Sequence, residues 1–175
     1  SKYASVSFTN SLSSCSIIKI LQIERVQNPI MFKQYAVGRD AMIKYYKSNP
    51  SVQVERRLWH GTGSDTIQAI TAEGFNRSYS GKNATCYGNG SYFAKHFSYS
   101  ANKTYSRPDL NGHKHVFQCL VLTGEFAKGS EGLKAPPMKT NQTKYDSTVD
   151  DVSHPHIFVV YNDTYAYPEY IITFV

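Results

Sequence analysis

Residues 113–129, HKHVFQCLVLTGEFAKG, carry the strongest strand signal in the chain, and the segment after them is loop rather than helix. Residues 130–155 are rich in Pro, Lys and Asn and show no period. A parallel sheet needs a crossover of a dozen or more residues, usually a helix, after each strand. The rest of the chain does not supply that alternation either. Residues 17–26 (IIKILQIERV) set Ile18, Ile20 and Leu21 against Lys19, Gln22 and Glu24, which reads as a strand. Residues 54–61 (VERRLWHG), 91–94 (SYFA), 156–163 (HIFVVYND) and 169–175 (EYIITFV) read the same way, the last two separated by the turn-like TYAYP.

Helices are few. Asn28 and Pro29 form a helix start, with Asn as cap and Pro at the first position. Met31, Tyr35, Met42 and Tyr45 then recur at helical spacing, which predicts an amphipathic helix over 29–47 with those four side chains toward a core. Thr62 to Ser64 are placed to cap a second, short helix over 65–74, stopped by Gly74. KHFSYSANKTYS, after the SYFA strand, reads as one or two helical turns. The fold class is therefore α+β, mostly antiparallel, with a few flanking helices and no internal repeat.

At 175 residues the chain has room for one domain with a sizeable core. That domain is expected over 17–175, after a flexible N-terminal segment, 1–16. Charged residues at 18% and hydrophobic ones at 41% indicate a globular composition. Fourteen Tyr suit a ligand groove as well as packing. The formal charge of +6 comes from Lys and Arg scattered along the chain, with no basic run. A scattered charge reads as a solvated surface and does not support a nucleic-acid partner.

Cys15, Cys86 and Cys119 are odd in number and lack CxxC spacing, which argues against a disulfide framework and a zinc site. No signal peptide or long apolar run is present, so no membrane partner is expected. The expected location is cytoplasm or nucleus. The Asn-x-Ser/Thr sequons at Asn76, Asn83, Asn89, Asn102, Asn141 and Asn162 then read as a by-product of Asn- and Ser-rich loops. The start SKYASV suggests a domain, expected to be monomeric, cut from a larger protein.

Several familiar chemistries are not supported. GNGSYF lacks the third glycine of a dinucleotide fingerprint, and no Gly-rich phosphate loop or Ser nucleophile elbow occurs. Cys119 sits mid-strand and reads as buried and inert. His113 and His115 flank one Lys without an acidic or thiol partner at ligand spacing, and His154 and His156 flank Pro155 as a loop pair. His60-Gly61-Thr62 is more informative. A His at a strand end followed by Gly lets a ligand approach the backbone, though the tripeptide alone favours a His tucked under a turn. Residues 75–90 form a long Gly-, Asn- and Ser-rich loop of the kind that usually serves a site. Beyond it a glycine turn delivers Tyr92, and the next turns carry Ser100 and Tyr105. Aromatic faces and hydroxyls around a glycine backbone suit a planar ring bearing an amide.

Taken in order, L-W-H-G-T, G-F-N-R-S-Y-S-G-K-N-A, Y-G-N-G-S-Y-F-A, Y-S-A-N-K-T-Y, V-L-T-G-E-F, Y-D-S-T-V-D and P-H-I-F-V-V-Y resemble the catalytic domain of the poly(ADP-ribose) polymerase (diphtheria-toxin-like ADP-ribosyltransferase) superfamily. Within it the chain is most similar to the macro-domain-associated mono-ADP-ribosyltransferases. The resemblance runs from about Ile17 to Val175 and implies a split, mostly antiparallel sheet. NAD is the implied substrate, with protein acceptors and no metal. His60 resembles the triad histidine that holds ribose hydroxyls, and Tyr92 the triad tyrosine. Gly61 and Ser100 would bind the nicotinamide carboxamide, Tyr105 would supply the second ring, and Thr62 would reach the adenine-side ribose. Residues 75–87 match the loop that covers NAD.

Polymerising members of the family carry Glu at the third triad position, at the start of the strand after a Ser/Pro-containing loop. Here that strand is IFVVY, so the position falls on Ile157, and Glu169 in the similar-looking PEYII lies one strand too late. Glu169 is then expected to be structural or edge-facing. An Ile neither bonds the nicotinamide ribose nor polarises an incoming hydroxyl, which implies transfer of one ADP-ribose unit without elongation. An acidic acceptor could supply its own carboxylate, on another protein or on the enzyme itself. A catalytically silent NAD- or ADP-ribose-binding module is the alternative, and the presence of both His60 and Tyr92 weighs against it.

Overall fold

A computed structural model describes residues 18–76 and 85–175. Eight strands and three short or medium helices succeed one another in the order β1 (Ile20–Arg25), α1 (Pro29–Tyr45), β2 (Glu55–Thr62), α2 (Ile67–Glu73), β3 (Ser91–Ala94), α3 (Phe97–Ser100), β4 (Lys114–Leu122), β5 (Phe126–Lys128), β6 (Ser147–Val149), β7 (Ile157–Val160) and β8 (Ala166–Phe174). All these strands belong to one sheet, ordered β1-β8-β4-β2-β3-β7-β6-β5. Every pairing is antiparallel except β5 with β6.

The sheet is two half-sheets. β2 and β4 pair over eight positions, from Glu55 opposite Leu122 to Thr62 opposite His115. β3 and β7 pair over four. Between β2 and β3 only Trp59 and Ala94 stand opposite one another. Past that single rung the edge of β2 from His60 to Thr62 has no partner strand on that side among the described residues. Its outward backbone groups are therefore open to a ligand.

Packing explains the pattern. β4 lies between β8 and β2, buried on both faces, so it reads as a near-continuous apolar run. Leu58, Phe93, Phe117, Cys119 and Phe158 form one face with Ile70 of α2 and Phe75. Ala94, Ile157, Val159 and Tyr161 form a cluster on the other face of the β3–β7 half. Each fully buried large side chain contributes roughly 1.5–3 kcal/mol. α1 buries Tyr35 and Met42, and Tyr46 just beyond it, against Leu122 and Tyr167. Asn28 caps α1 by accepting from the Met31 N–H, with Pro29 at the first position, and Arg39 and Tyr35 both reach Glu55 of β2.

Five expectations need correction. Tyr45 is 63% exposed and Tyr46 takes the core position, because four residues beyond Met42 the helix returns to the Tyr35–Met42 stripe, whereas Tyr45 falls to one side of it. Gly63, not a hydroxyl residue, precedes the turn that leads into α2, and no side chain caps it. The 113–129 strand is two strands: Gly124 adopts φ +45°, and the N–H groups of Thr123 and Gly124 turn to the Val54 carbonyl. The polar loop 130–155 contains β6, which extends the sheet beside β7. β8 starts at Ala166, so TYAYP is mostly strand, and Pro168 is tolerated beside a register shift opposite Cys119. Cys119 is fully buried and its thiol is pushed well up by burial, as an inert core cysteine. No helix among the described residues is long and apolar enough to cross a membrane.

Candidate active site

The split between the half-sheets is where the sequence-predicted residues meet. His60 stands one residue past the Trp59–Ala94 rung, and its Nδ1 lies 2.8 Å from the carbonyl oxygen of Tyr92 on β3. A carbonyl only accepts, so Nδ1 carries the proton. The ring packs against Phe75 and Phe93 at centroid distances of 4.9 and 5.6 Å. Burial holds its pKa below the usual histidine value, against the smaller opposing effect of the Tyr92 bond. The imidazole is therefore neutral, and Nε2 carries a lone pair that accepts a hydrogen bond, as a ribose hydroxyl would offer.

Tyr92 comes directly after the glycine turn. Its hydroxyl donates to the Gly88 carbonyl at 2.8 Å and accepts the Tyr87 N–H at 2.9 Å. Both groups belong to the preceding turn, so the ring is locked in place. Burial lifts the phenol to about 12, and the hydroxyl stays protonated. Tyr92 and Phe93 are consecutive on β3 and point to opposite faces. His60 and Tyr92 are thus joined through a backbone carbonyl, with the His60 ring on the Phe93 side.

Gly61 lies under α3 and the turns after it. A methyl group at position 61 would overlap the Ser100 carbonyl oxygen and come within 2.8 Å of Tyr105 Cβ. Ser100 is buried beside it, at the end of α3. Tyr105 stacks on Tyr99 with centroids 4.9 Å apart and planes 21° from parallel, and the two hydroxyls are 2.7 Å apart. The ring partner of Tyr105 is therefore Tyr99, which opens the Y-S-A-N-K-T-Y stretch but to which the sequence alone gives no role of its own. Its signal was present as a large aromatic directly beside Ser100, and it is 45% exposed. Thr62 is buried, with its hydroxyl against that of Thr66 and 3.3 Å from the Gly63 carbonyl, so its hydroxyl is engaged within the turn.

Ile157 opens β7 directly opposite Ala94, which itself faces Trp59. It therefore sits in the row of the sheet that closes the split, beside the strand that carries Tyr92. It is 5% exposed, and it floors a cleft of about 460 Å³ rimmed by Tyr87, His96, Ser98, Tyr99, Asp150 and His156. Tyr99 belongs both to this cleft and to the stack on Tyr105, so one ring borders both. Asp150 Oδ1 accepts the N–H groups of His156 and Ile157, each at 2.9 Å.

Glu169 is elsewhere. It lies on β8, with β4 between that strand and β2, and its carboxylate pairs with Arg57 Nε at 3.2 Å. β8 is flanked by β1 and β4, so the residue is structural but not at a sheet edge. The expectation that His113 and His115 lack an acidic partner needs correction: Asp109, only four residues before His113, brings Oδ2 to 3.7 Å from a ring nitrogen of each. Of the NAD-covering loop expected at 75–87, residues 77–84 lie outside the described residues, as do Cys15 and the segment 1–16.

Comparison with known proteins agrees with this architecture. The family model for the poly(ADP-ribose) polymerase catalytic domain matches residues 6–131. Human protein mono-ADP-ribosyltransferase PARP14 is 46% identical over 164 residues, covering 92% of this chain and 9% of that protein. Mouse protein mono-ADP-ribosyltransferase PARP10 is 44% identical over 158 residues, 89% of this chain and 16% of that protein. Mouse protein mono-ADP-ribosyltransferase PARP12 is 38% identical over 158 residues, 89% of this chain and 21% of that protein. The chain thus spans a minor part of the length of these relatives.

Proposed function

Because this chain belongs to the poly(ADP-ribose) polymerase catalytic domain family, we propose that it transfers a single ADP-ribose from NAD to a protein side chain and releases nicotinamide. The observation that carries the single-unit reading is Ile157, a buried alkyl side chain on the strand beside Tyr92, which we assign to the place where the family's elongating members hold a carboxylate.

The residues present fit NAD as substrate. The unpaired edge of β2 at Gly61, with Ser100 above it, offers backbone and side-chain partners to a planar amide. The Tyr105–Tyr99 stack offers an aromatic wall. Nε2 of neutral His60 offers an acceptor for a ribose hydroxyl. Tyr92, locked by Gly88 and Tyr87, holds the opposite side. Binding in such a slot positions the leaving nicotinamide and excludes water, which raises the rate by orientation rather than by a new functional group. Thr62 enters only as a support of the turn, since its hydroxyl is already engaged.

Protein carboxylates, including the enzyme's own, are the acceptors we assign first. At neutral pH a carboxylate is already a nucleophile and needs no base, which suits a site with Ile157 in the triad. Incubation with labelled NAD and a denaturing gel tests the reading. The expected result is a discrete labelled band together with stoichiometric nicotinamide release. A ladder of long polymer overturns the single-unit claim, and NAD binding without nicotinamide release would make the domain a silent binding module.

A further inference from the structure

We propose that His156, held by Asp150, serves as the base for hydroxyl-bearing acceptors, so that the same site modifies Ser side chains as well as carboxylates. The assignment rests on the ADP-ribosyl transfer reading above. His156 precedes Ile157 and lines the cleft that Ile157 floors. Its side chain is 57% exposed, so the imidazole is accessible from the cleft mouth. Asp150 staples the segment, because Oδ1 takes the N–H groups of both His156 and Ile157 at 2.9 Å. Oδ2 is left facing His156 Nδ1 at 3.8 Å, within ion-pair reach once the ring is protonated. On the other side the His96 ring lies 5.8 Å away at 39°, which confines the imidazole between a carboxylate and a second ring.

A base needs a carboxylate near one nitrogen to stabilise the imidazolium and the other nitrogen open to the proton, and Asp150 Oδ2 lies at ion-pair distance from Nδ1, close enough to do so as the proton arrives. His156 is adjacent in the chain to Ile157, which we assign to the position of the missing carboxylate, and the cleft it lines is bordered by Tyr99, the ring stacked on Tyr105. A carboxylate acceptor gains little from such a group, since it has no proton to lose. A hydroxyl acceptor does need it. Its oxygen forms the bond to ribose C1′ while the C1′–nicotinamide bond breaks. Nicotinamide leaves neutral with the bonding pair, and the hydroxyl proton passes to His156 Nε2 and then to water. No other reactant is required.

The linkage type distinguishes the two acceptor classes. Neutral hydroxylamine cleaves ADP-ribosyl esters of Asp and Glu and leaves acetal links to Ser intact. The wild-type domain, His156→Gln and Asp150→Asn are incubated with adenylate-labelled NAD and two synthetic peptides, one offering only Ser and one only Glu. Protein and peptides are then split into hydroxylamine-stable and hydroxylamine-labile label, and the linked residues are mapped by mass spectrometry. Asn at 150 keeps a carbonyl for the two N–H groups but removes the charge. General-base assistance is worth roughly 10²–10⁴, so the stable-to-labile ratio is expected to fall about a hundredfold in His156→Gln and about tenfold in Asp150→Asn. Wild-type label that is entirely labile overturns the proposal and leaves transfer standing, as does a His156→Gln variant that loses both classes in proportion. Absence of any protein-bound label from the wild type overturns the transfer reading and this assignment with it.

Discussion

His60 donates from Nδ1 to the Tyr92 carbonyl oxygen at 2.8 Å, across the one place where the two halves of the sheet share a single rung. The side chain does there what a backbone N–H does elsewhere in the ladder. The half-sheets stay joined while β2 keeps an open edge, and the same bond fixes the tautomer that leaves Nε2 as an acceptor. Structural and chemical roles of His60 are therefore inseparable, which shapes the first two expectations.

His60→Ala is expected to lower kcat/KM for nicotinamide release about a hundredfold, or about 2.7 kcal/mol of transition-state stabilisation. Glu169→Gln should keep turnover within about twofold. Its partner Arg57 is largely exposed, so the lost ion pair costs at most about 1 kcal/mol. Steady-state kinetics on both variants checks this pair of expectations. Comparable losses would place the acid of the reaction at Glu169 and refute the assignment of the third position to Ile157.

The pH dependence comes from the sign of the His60 shift. Its folded-state pKa is depressed by burial, so between that value and the unfolded value of about 6.5 the unfolded chain binds more protons. The stability His60 contributes as a neutral ring is fully present above about pH 6.5 and is lost as pH falls toward the folded pKa. NAD turnover should fall only at the acid end of that window, as pH nears the depressed folded-state pKa, because only then does protonation remove the Nε2 lone pair. Of the two measured from about pH 8 down to about pH 5, the urea midpoint should begin to decline at a higher pH than kcat/KM. A turnover that rises toward the acid end would contradict a neutral His60 in the working enzyme.

Gly61→Ala tests the close approach under α3. The added Cβ would overlap the Ser100 carbonyl oxygen, which is backbone and cannot swing aside. Overpacking of this kind costs roughly 1–3 kcal/mol. A lower Tm together with loss of nicotinamide release is expected, whereas an unchanged Tm would mean that α3 does not rest on β2 at this point.

Tyr99 separates stacking from hydrogen bonding. Tyr99→Phe keeps the ring against Tyr105 and loses only the hydroxyl contact, so kcat/KM should stay within about threefold. Tyr99→Ala removes a wall of both slot and cleft. Aromatic pairs are worth about 0.5–1.5 kcal/mol beyond area burial, so a loss of about tenfold, carried mainly by KM for NAD, is expected. Equal effects of the two substitutions would point to the hydroxyl instead.

Gly124→Ala tests the break between β4 and β5. Position 124 has φ +45°, and a Cβ there would overlap the Asp146 carboxylate, which accepts from Glu125 N–H and from Tyr46. Left-handed strain alone costs roughly 1–2 kcal/mol. A drop in the urea midpoint with an unchanged m-value is the expected result.

Local chemistry sufficed for much of this protein. Asn28-Pro29 starts a helix, SYFA forms a strand and Gly74 ends α2, because each depends on neighbours in the chain. The order of strands, laid on the plan of the family the chain resembles, was enough to set Ile157, and not Glu169, beside the strand carrying Tyr92. The folded structure decided what depends on partners outside an element, whether far along the chain, as Val54 is from Gly124, or six residues off across a loop, as Tyr105 is from Tyr99 and Asp150 from His156. Residues 113–129 broke in two because Gly124 turns toward Val54, and Pro168 entered a strand because β4 offered a register shift. Tyr99 became a wall only because Tyr105 folds back onto it. His156 acquired a carboxylate only when β7 was drawn against β3 and its preceding loop was stapled by Asp150. A periodic sequence reports which face of an element is buried, but not which distant group completes a site. Those contacts are set by packing between segments, and no local signal encodes them.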